Sequence, residues 1–362
     1  MDFSLRLHKG IDNLLINCIG AKPGDSLAII SEQDVSDYYS TTLDSVIAAR
    51  ARAQLLEVHL LATPILEAVN IFPDEIHQVI ESTDHTLFLS RIGDQIRFSE
   101  LGNTGSITIC HALDEESFAT SFCSAHYEFF MLLRRRVDAA VFGGKEITIR
   151  CASGTLLNGV SAEEVLGATI NDVTIKRFPL SVFRPIPANT FSGKIALTRW
   201  LAPTNSRIYE PEAVLIEGVV FALVENGRII DFDGASGEVD KVRAHYKFVA
   251  DKFNIQADLI HSWHAGIHPQ NGYFGTATDN LARWAGSTFG NPRYLHLHTC
   301  GDYPPGEICM SVFDPTVTVD GVDLWRDGRF IFADSTEIKA LQSDYPGMQK
   351  LFENPIMEYG LD

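Results

Sequence analysis

The sequence predicts a two-part α/β protein: an N-terminal doubly wound parallel-sheet domain over residues 1–145 and a β-rich α+β domain over residues 146–362. Three observations predict it. Helix and strand patterns alternate up to about residue 140, the signature of an open parallel sheet. Strand patterns and hairpin turns dominate afterwards. The 362 residues are 45% hydrophobic and 21% charged, a globular composition long enough for two cores.

From the N-terminus, Leu5 to Ile19 carry apolar residues at helical spacing, KPGD supplies a turn, and SLAIIS follows as a short buried strand. Ser40 to Ala53 reads as a second helix, and LLEVHLLA after it as a strand. HTLFLSRI and GSITICHA are further strands. Ala125 to Ala140 is helical, with Arg134, Arg135 and Arg136 near its end, where cations complement the carbonyl dipoles. From Lys145 the texture changes. EITIRCASGTLLNGV reads as two strands across a Ser-Gly turn, and VTIKRF, KIALTRWLA, AVLIEGVVFALVENGRIIDF, YLHLHT and VTVDGVDLWRDGRFIFA are strand-rich. ENGR and VDG are hairpin turns. Helices are expected at about Gly237 to Phe253 and Thr276 to Ala285.

The formal charge of −18, from 47 acidic against 29 basic residues, excludes electrostatic attraction to nucleic acid or anionic membranes. MDFSLRLHKGIDNLL lacks the features of a secretory signal. The apolar stretch LLEVHLLATPILEAVNIF is broken by Glu57, His59, Pro64 and Glu67, so no membrane span is expected and the cytoplasm is the expected compartment. Six cysteines without a CxxC pair fit a reducing compartment. No GxGxxG, P-loop, HExxH or GxSxG is present, so nucleotide cofactors and serine-hydrolase chemistry have no positive support.

Histidine carries the sharpest signal. Of 12 in the chain, five lie between positions 261 and 298: His261, His264, His268, His296 and His298. Neutral imidazole is a preferred ligand of Zn, Fe, Cu and Ni. His296 and His298 are two apart in YLHLHT, so on a strand they share a face. Gly266 and Pro269 favour a strand-to-loop geometry for HSWHAGIHP over a helix. Asp302, Glu307 and Asp314 follow within reach. Asp302 and Asp314 sit in turn sequences, which leaves Glu307 as the open carboxylate. Two histidines and one carboxylate on one face of an ion leave positions for substrate and dioxygen. Lys194, Arg184 and Arg199 are candidate partners for an anionic substrate, and SGT at 153–155 reads as a tight turn.

The order of segments resembles the thermophilic-type metalloaminopeptidases (peptidase family M29) and their relative 2,5-dihydroxypyridine 5,6-dioxygenase, over most of the chain. AKPGDSLAI after an early helix resembles their opening. GKEITIRCASGTLLNGV resembles a GK-x-V-x-I-x…GTD strand pair, ANTFSGKIALTRWLAP a P-x-GE-V-F-x-x-P element, and FGNPRYLHLHTCG with VTVDGVDLWRDGRF the closing segments. The resemblance implies the aminopeptidase-like fold, an inter-domain pocket and a homodimer or higher homo-oligomer. It departs at the ligands. Lys194 stands where the aminopeptidases place a metal-binding glutamate. The late His-x-Asp pair falls near Glu307 and Cys309. HSWHAGIHP resembles the dioxygenase's histidine-containing stretch.

These readings together imply a mononuclear non-haem iron oxygenase acting on a small aromatic or heterocyclic substrate. Fe(II) is the expected cofactor, with Zn or another divalent metal as the alternative. The metal candidates are His261, His264, His296, His298 and Glu307. Glu307, His264 and Lys194 are the catalytic candidates, and Arg184, Trp263 and His268 the substrate-binding ones. A metal-dependent amino- or amidohydrolase, with the metal activating water, is a second reading. A member that has lost its metal, acting as a binding protein or a metal-free biosynthetic enzyme, is a third.

Overall fold

Short apolar runs bounded by turn residues become the strands of a parallel sheet in the first of two units. The computed structural model describes residues 2–33, 37–65, 73–96, 105–143, 146–161, 175–301 and 306–361. Strands β1 (Ser26–Gln33), β2 (Glu57–Pro64), β3 (His85–Leu89) and β4 (Ser106–Cys110) belong to this sheet. After β5 (Ile147–Arg150) and β6 (Leu156–Gly159), which belong elsewhere, β7 (Ile175–Phe178) completes it in the order β2-β1-β3-β4-β7. Ile30, Phe88, Ile107, Ile109 and Ile175 from the strands and Ile76, Ile80, Ile92 and Ile96 from helices make one continuous core. The expected first helix runs from Phe3 to Asp12 and widens into a π-helical stretch, Asn13–Ile19. It stops at Gly20, whose φ of 81° is the left-handed conformation that ends helices.

The order of this sheet places β2 on one side of β1 and β3 on the other, so connections diverge at the carboxyl ends of β1 and β3. In doubly wound sheets that crevice is the customary ligand site. Here it holds an ion pair. Arg91 Nε lies 2.8 Å from Glu32 Oε1, and the Arg91 backbone N–H donates to Glu32 Oε2 at 3.1 Å. The guanidinium also lies 4.5 Å from the centre of the Tyr38 ring. Both side chains are buried, 6% and 3% exposed.

The second unit is built on antiparallel ladders. Its strands are β5, β6, β8 (Ile186–Pro187), β9 (Ser192–Pro203), β10 (Val214–Glu225), β11 (Arg228–Gly234), β12 (Ile260–Ala265), β13 (Tyr294–Thr299), β14 (Ile308–Phe313), β15 (Thr316–Val319) and β16 (Val322–Trp325). The order is β16-β15-β5-β6-β9-β14-β13-β12-β8, with β10 and β11 branching from β9. The two expected hairpins close as read: Asn226 and Gly227 have φ of 48° and 71°, Asp320 and Gly321 48° and 81°. Two successive positive φ values match the twist of antiparallel strands. The expected helices are Ser236–Phe253 and Leu281–Thr288, the second capped by Asn280 accepting from the Arg283 N–H. The Ser-Gly-Thr turn is structural: Thr155 Oγ1 accepts the Ala196 N–H at 2.9 Å and Gly154 has φ 107°. No described helix is long and apolar enough to cross a membrane.

The division of the chain is not a single cut near residue 145, where residues 144–145 lie outside the described set. One unit comprises Met1–Phe130, Ala168–Leu180 and Asn205–Tyr209, and the rest forms the other. Of VTIKRF, read as part of the β-rich half, Ile175–Phe178 form β7 in the parallel sheet. Its register sets Ile175 beside Ile107, which places Ile175 in the first core and Arg177 beside Ile109.

Removing one partner of a buried ion pair strands the other charge, at a cost of about 3–5 kcal/mol. Arg91→Ala is therefore expected to lower the opening free energy of β1 and β3 by that order, read from amide hydrogen exchange. The double substitution Glu32→Leu with Arg91→Met is expected to cost less than Arg91→Ala alone.

Candidate metal centre

β13 lies between β12 and β14, and both of its faces are buried. Its sequence alternates, so Leu295 and Leu297 face one side and His296 and His298 the other. On β12, His264 stands opposite His296 and Ser262 opposite His298. On β14, Ser311 stands opposite His296 and Cys309 opposite His298. Directly opposed residues share a face, so three histidines from two strands converge. His264, His296 and His298 are 5%, 5% and 7% exposed. Each offers a ring nitrogen within 4.8 Å of the others. Their ring centres are 4.2, 5.0 and 4.8 Å apart.

The outer nitrogens of two of these rings have partners. His264 Nδ1 lies 3.3 Å from the carbonyl oxygen of Phe183. An amide carbonyl only accepts, so His264 is protonated at Nδ1 and turns a lone pair inward at Nε2. That nitrogen is 2.7 Å from His296 Nε2. Two lone pairs at such a distance repel, so a proton lies between them, donated by His296 Nε2–H to His264 Nε2. His298 Nδ1 is 3.2 Å from Ser262 Oγ, which is 3.0 Å from His261 Nδ1. The third ring, His296, stacks on Tyr294, with centres 5.1 Å apart and planes at 22°. Its Nδ1 is buried with no hydrogen-bond partner among the described residues. Burial pushes the His296 pKa down to about 3, so the ring is neutral and need lose no proton to ligate.

These residues fit a divalent ion of the borderline kind. The donors are three buried imidazoles, His264 carries the outer hydrogen bond to a carbonyl that fixes ligand tautomer, His298 carries one to a hydroxyl, and an unpaired buried nitrogen borders the group. Among the described residues no other set of three histidine, cysteine or carboxylate groups meets in this way.

The other candidates lie elsewhere. His261 is displaced by the irregularity between Ile260 and Ser262, and reaches the group only through Ser262. Glu307 is fully buried at the start of β14 but is not in the group. Its carboxylate acts on Cys300, whose thiol is pushed up to about 12, first by burial and then by that charge. Lys194 is exposed on β9, with its ammonium 4.6 Å from the Phe221 ring centre. The β9 residue opposite Cys309 is Ala202, and eight residues of strand amount to roughly 26 Å, which removes Lys194 from the site. Trp263 projects from the other face of β12, opposite Leu297, and packs edge-on against Phe183 and Phe191. His268 lies beyond β12, where its Nδ1 accepts the Gln270 N–H at 3.2 Å. Arg184 stacks on Phe142 at 3.8 Å. Asp314 has a φ of 48° and is held by Arg293 Nε and Nη2 at 2.6 and 2.8 Å. Asp302 lies outside the described residues. Ser262 and the Phe183 carbonyl are the participants that the sequence did not single out. The signal for Ser262 was its spacing of two from His264 on a strand; a backbone carbonyl leaves none.

No family model and no curated protein matches the chain. Solved structures do. 2,5-Dihydroxypyridine dioxygenase from Pseudomonas putida KT2440 superposes with a TM-score of 0.57 at 11% identity, over 91% of this chain and 97% of that one. Wild-type AmpT from Thermus thermophilus superposes with a TM-score of 0.50 at 12% identity, over 91% and 100%. At these identities the likeness is one of fold, and it extends through both units.

Burial also depresses His268 to about 3 and His245 to about 4, from 6.5. The unfolded chain therefore takes up protons below pH 6.5 that the folded one refuses. Stability is present in full above that pH and is lost as pH falls toward the folded-state values. His268→Asn, whose side-chain oxygen can accept the Gln270 N–H, is expected to flatten this decline, measured as the urea midpoint from about pH 7 to pH 4.

Proposed function

We propose that the protein is a mononuclear metal-dependent enzyme whose divalent ion is held by His264, His296 and His298. Its substrate is a small hydroxylated aromatic or heterocyclic ring, oxidised with dioxygen. The observation that carries the reading is the triad itself: three buried imidazoles whose ring nitrogens meet within 4.8 Å from two paired strands. Likeness of fold to 2,5-dihydroxypyridine dioxygenase supports the substrate class. Ferrous iron is the preferred ion, and when bound it supplies positions for dioxygen and a deprotonated ring hydroxyl.

The chain's own residues define what that substrate must be. Three imidazoles bring no negative charge to an ion of charge two, so the anion comes from the substrate, which favours an ionised hydroxyl over a neutral ring. Phe183 and Ser262 fix the orientation of His264 and His298. Tyr294 and Phe289 wall His296 with aromatic surface and limit water around it. Glu307 has no ligand role in this reading.

A second reading has its own support. Three histidines with an open position form the donor set of zinc sites that lower the pKa of a bound water, and AmpT shares the fold. The ion would then serve hydrolysis of an amide.

Protein loaded anaerobically with Fe(II) is expected to hold one equivalent and to take up oxygen with hydroxypyridines or catechols. His264→Ala, His296→Ala and His298→Ala are each expected to abolish both. Iron binding without uptake, together with release from aminoacyl-nitroanilides under Zn or Co, would shift the assignment to the hydrolase. Absence of any bound metal in wild type would overturn both readings in favour of a metal-free one.

A further inference from the structure

We infer that Ser262 and His261 are positioning residues that set which nitrogen of His298 carries its proton, and through it the affinity of the triad for its ion. The inference rests on the metal-centre reading above. His264 and His298 differ in how their outer nitrogens are held. His264 faces a carbonyl, which can only accept, so its tautomer is fixed by that contact alone. His298 faces a hydroxyl 3.2 Å away, which can accept or donate. A hydroxyl leaves the choice to its other neighbour, and that neighbour is His261 Nδ1 at 3.0 Å.

Two arrangements of the chain satisfy both contacts. In one, His298 Nδ1–H donates to Ser262 Oγ, and the Ser262 hydroxyl donates to His261 Nδ1. His298 then presents the Nε2 lone pair to the triad. In the other, His261 Nδ1–H donates to Ser262, whose hydroxyl donates to His298 Nδ1. His298 then carries its proton on Nε2, where it blocks ligation. Only the first arrangement is competent, and it requires an acceptor at the His261 Nδ1 position. Ser262 is suited to the relay by its place. It stands directly opposite His298 in the β12–β13 ladder, it is 1% exposed, and its side chain is short enough to lie between two rings. His261 is half-buried, is not one of the three converging ligands, and has a contact that reaches His298 through one atom. The hydrogen-bonded sequence also accounts for His261, one of the two histidines of the cluster that the triad leaves out.

Cobalt(II) titration of metal-free protein, followed by visible absorption, tests the inference without reference to turnover. Ser262→Ala and His261→Leu are each expected to weaken Co(II) binding about 10–100-fold, the usual cost of losing a partner of a ligand histidine. Ser262→Thr, which keeps the hydroxyl, and His261→Asn, whose Oδ1 takes the place of Nδ1, are expected to remain near wild type. Thermal midpoints of the metal-free proteins report folding separately, and are expected to be similar across the four variants. Wild-type affinity in both Ser262→Ala and His261→Leu would overturn the inference while leaving the triad standing. So would His261→Asn as weak as His261→Leu, since the residue would then act by packing alone. Failure of wild type to bind Co(II) at all would overturn the metal centre, and this inference with it.

Discussion

An imidazole taken out of water must find partners for its nitrogens, and β13 buries two of them on one face of a strand covered on both sides. Much of the local structure answers that demand. β12 brings His264 and Ser262 into register opposite them. A β-bridge between Val182 and Gly266 places the Phe183 carbonyl at the outer edge of His264. The same Gly266 accepts the Trp325 indole N–H at 2.9 Å, and Trp325 packs on Phe183, so the segment that offers the carbonyl is held from two directions. On the β14 side, Tyr294 stacks on His296 and shares a hydrogen bond with Ser311 at 3.1 Å. The site is thus placed on strands and fixed by backbone register, with no dependence on a long loop.

Charge gives the centre its character. Three imidazole nitrogens meet within 4.8 Å, while the buried carboxylate of Glu307 is outside the group and raises the Cys300 thiol. In the proposed reading, an ion held by such a set would keep its full charge, and its electrostatic complement would arrive with the substrate. This separates the centre from one built on two histidines and a carboxylate, where the protein itself supplies part of the compensation. The first unit shows the opposite economy. At the carboxyl ends of β1 and β3, where a doubly wound sheet usually takes its ligand, Glu32 and Arg91 compensate one another and Tyr38 covers the guanidinium. That crevice is occupied by the protein's own charges.

Much of the fold was legible because it depends on local signals. KPGD, ENGR and VDG are turns by their chemistry, and the helices ending near Ile19 and Phe253 follow from apolar spacing alone. β7 was the failure. VTIKRF is strand-like in any context, and whether a strand joins a parallel or an antiparallel sheet depends on partners that lie 65 or more residues away, such as Ile107 beside Ile175. The structure places Lys194 and Trp263 away from the triad for a related reason. Proximity along the chain and correspondence to a family pattern do not give the face or the distance. Trp263 is next to His264 in sequence and therefore on the other side of its strand.

By itself the sequence determined that histidines 296 and 298 would share a face, since a strand has a period of two and YLHLHT alternates with it. It also showed five of the 12 histidines gathered between His261 and His298. Only the tertiary structure decided which third histidine joins them. The irregularity of β12 between Ile260 and Ser262 takes His261 out of the ladder, and the register of β12 against β13 sets His264 opposite His296. The same register turned His261 from a candidate ligand into the far end of a hydrogen-bonded sequence through Ser262. Pairing between strands is a long-range property, fixed by the burial of Leu295, Leu297 and Trp263 on the opposite face, and no local pattern encodes it.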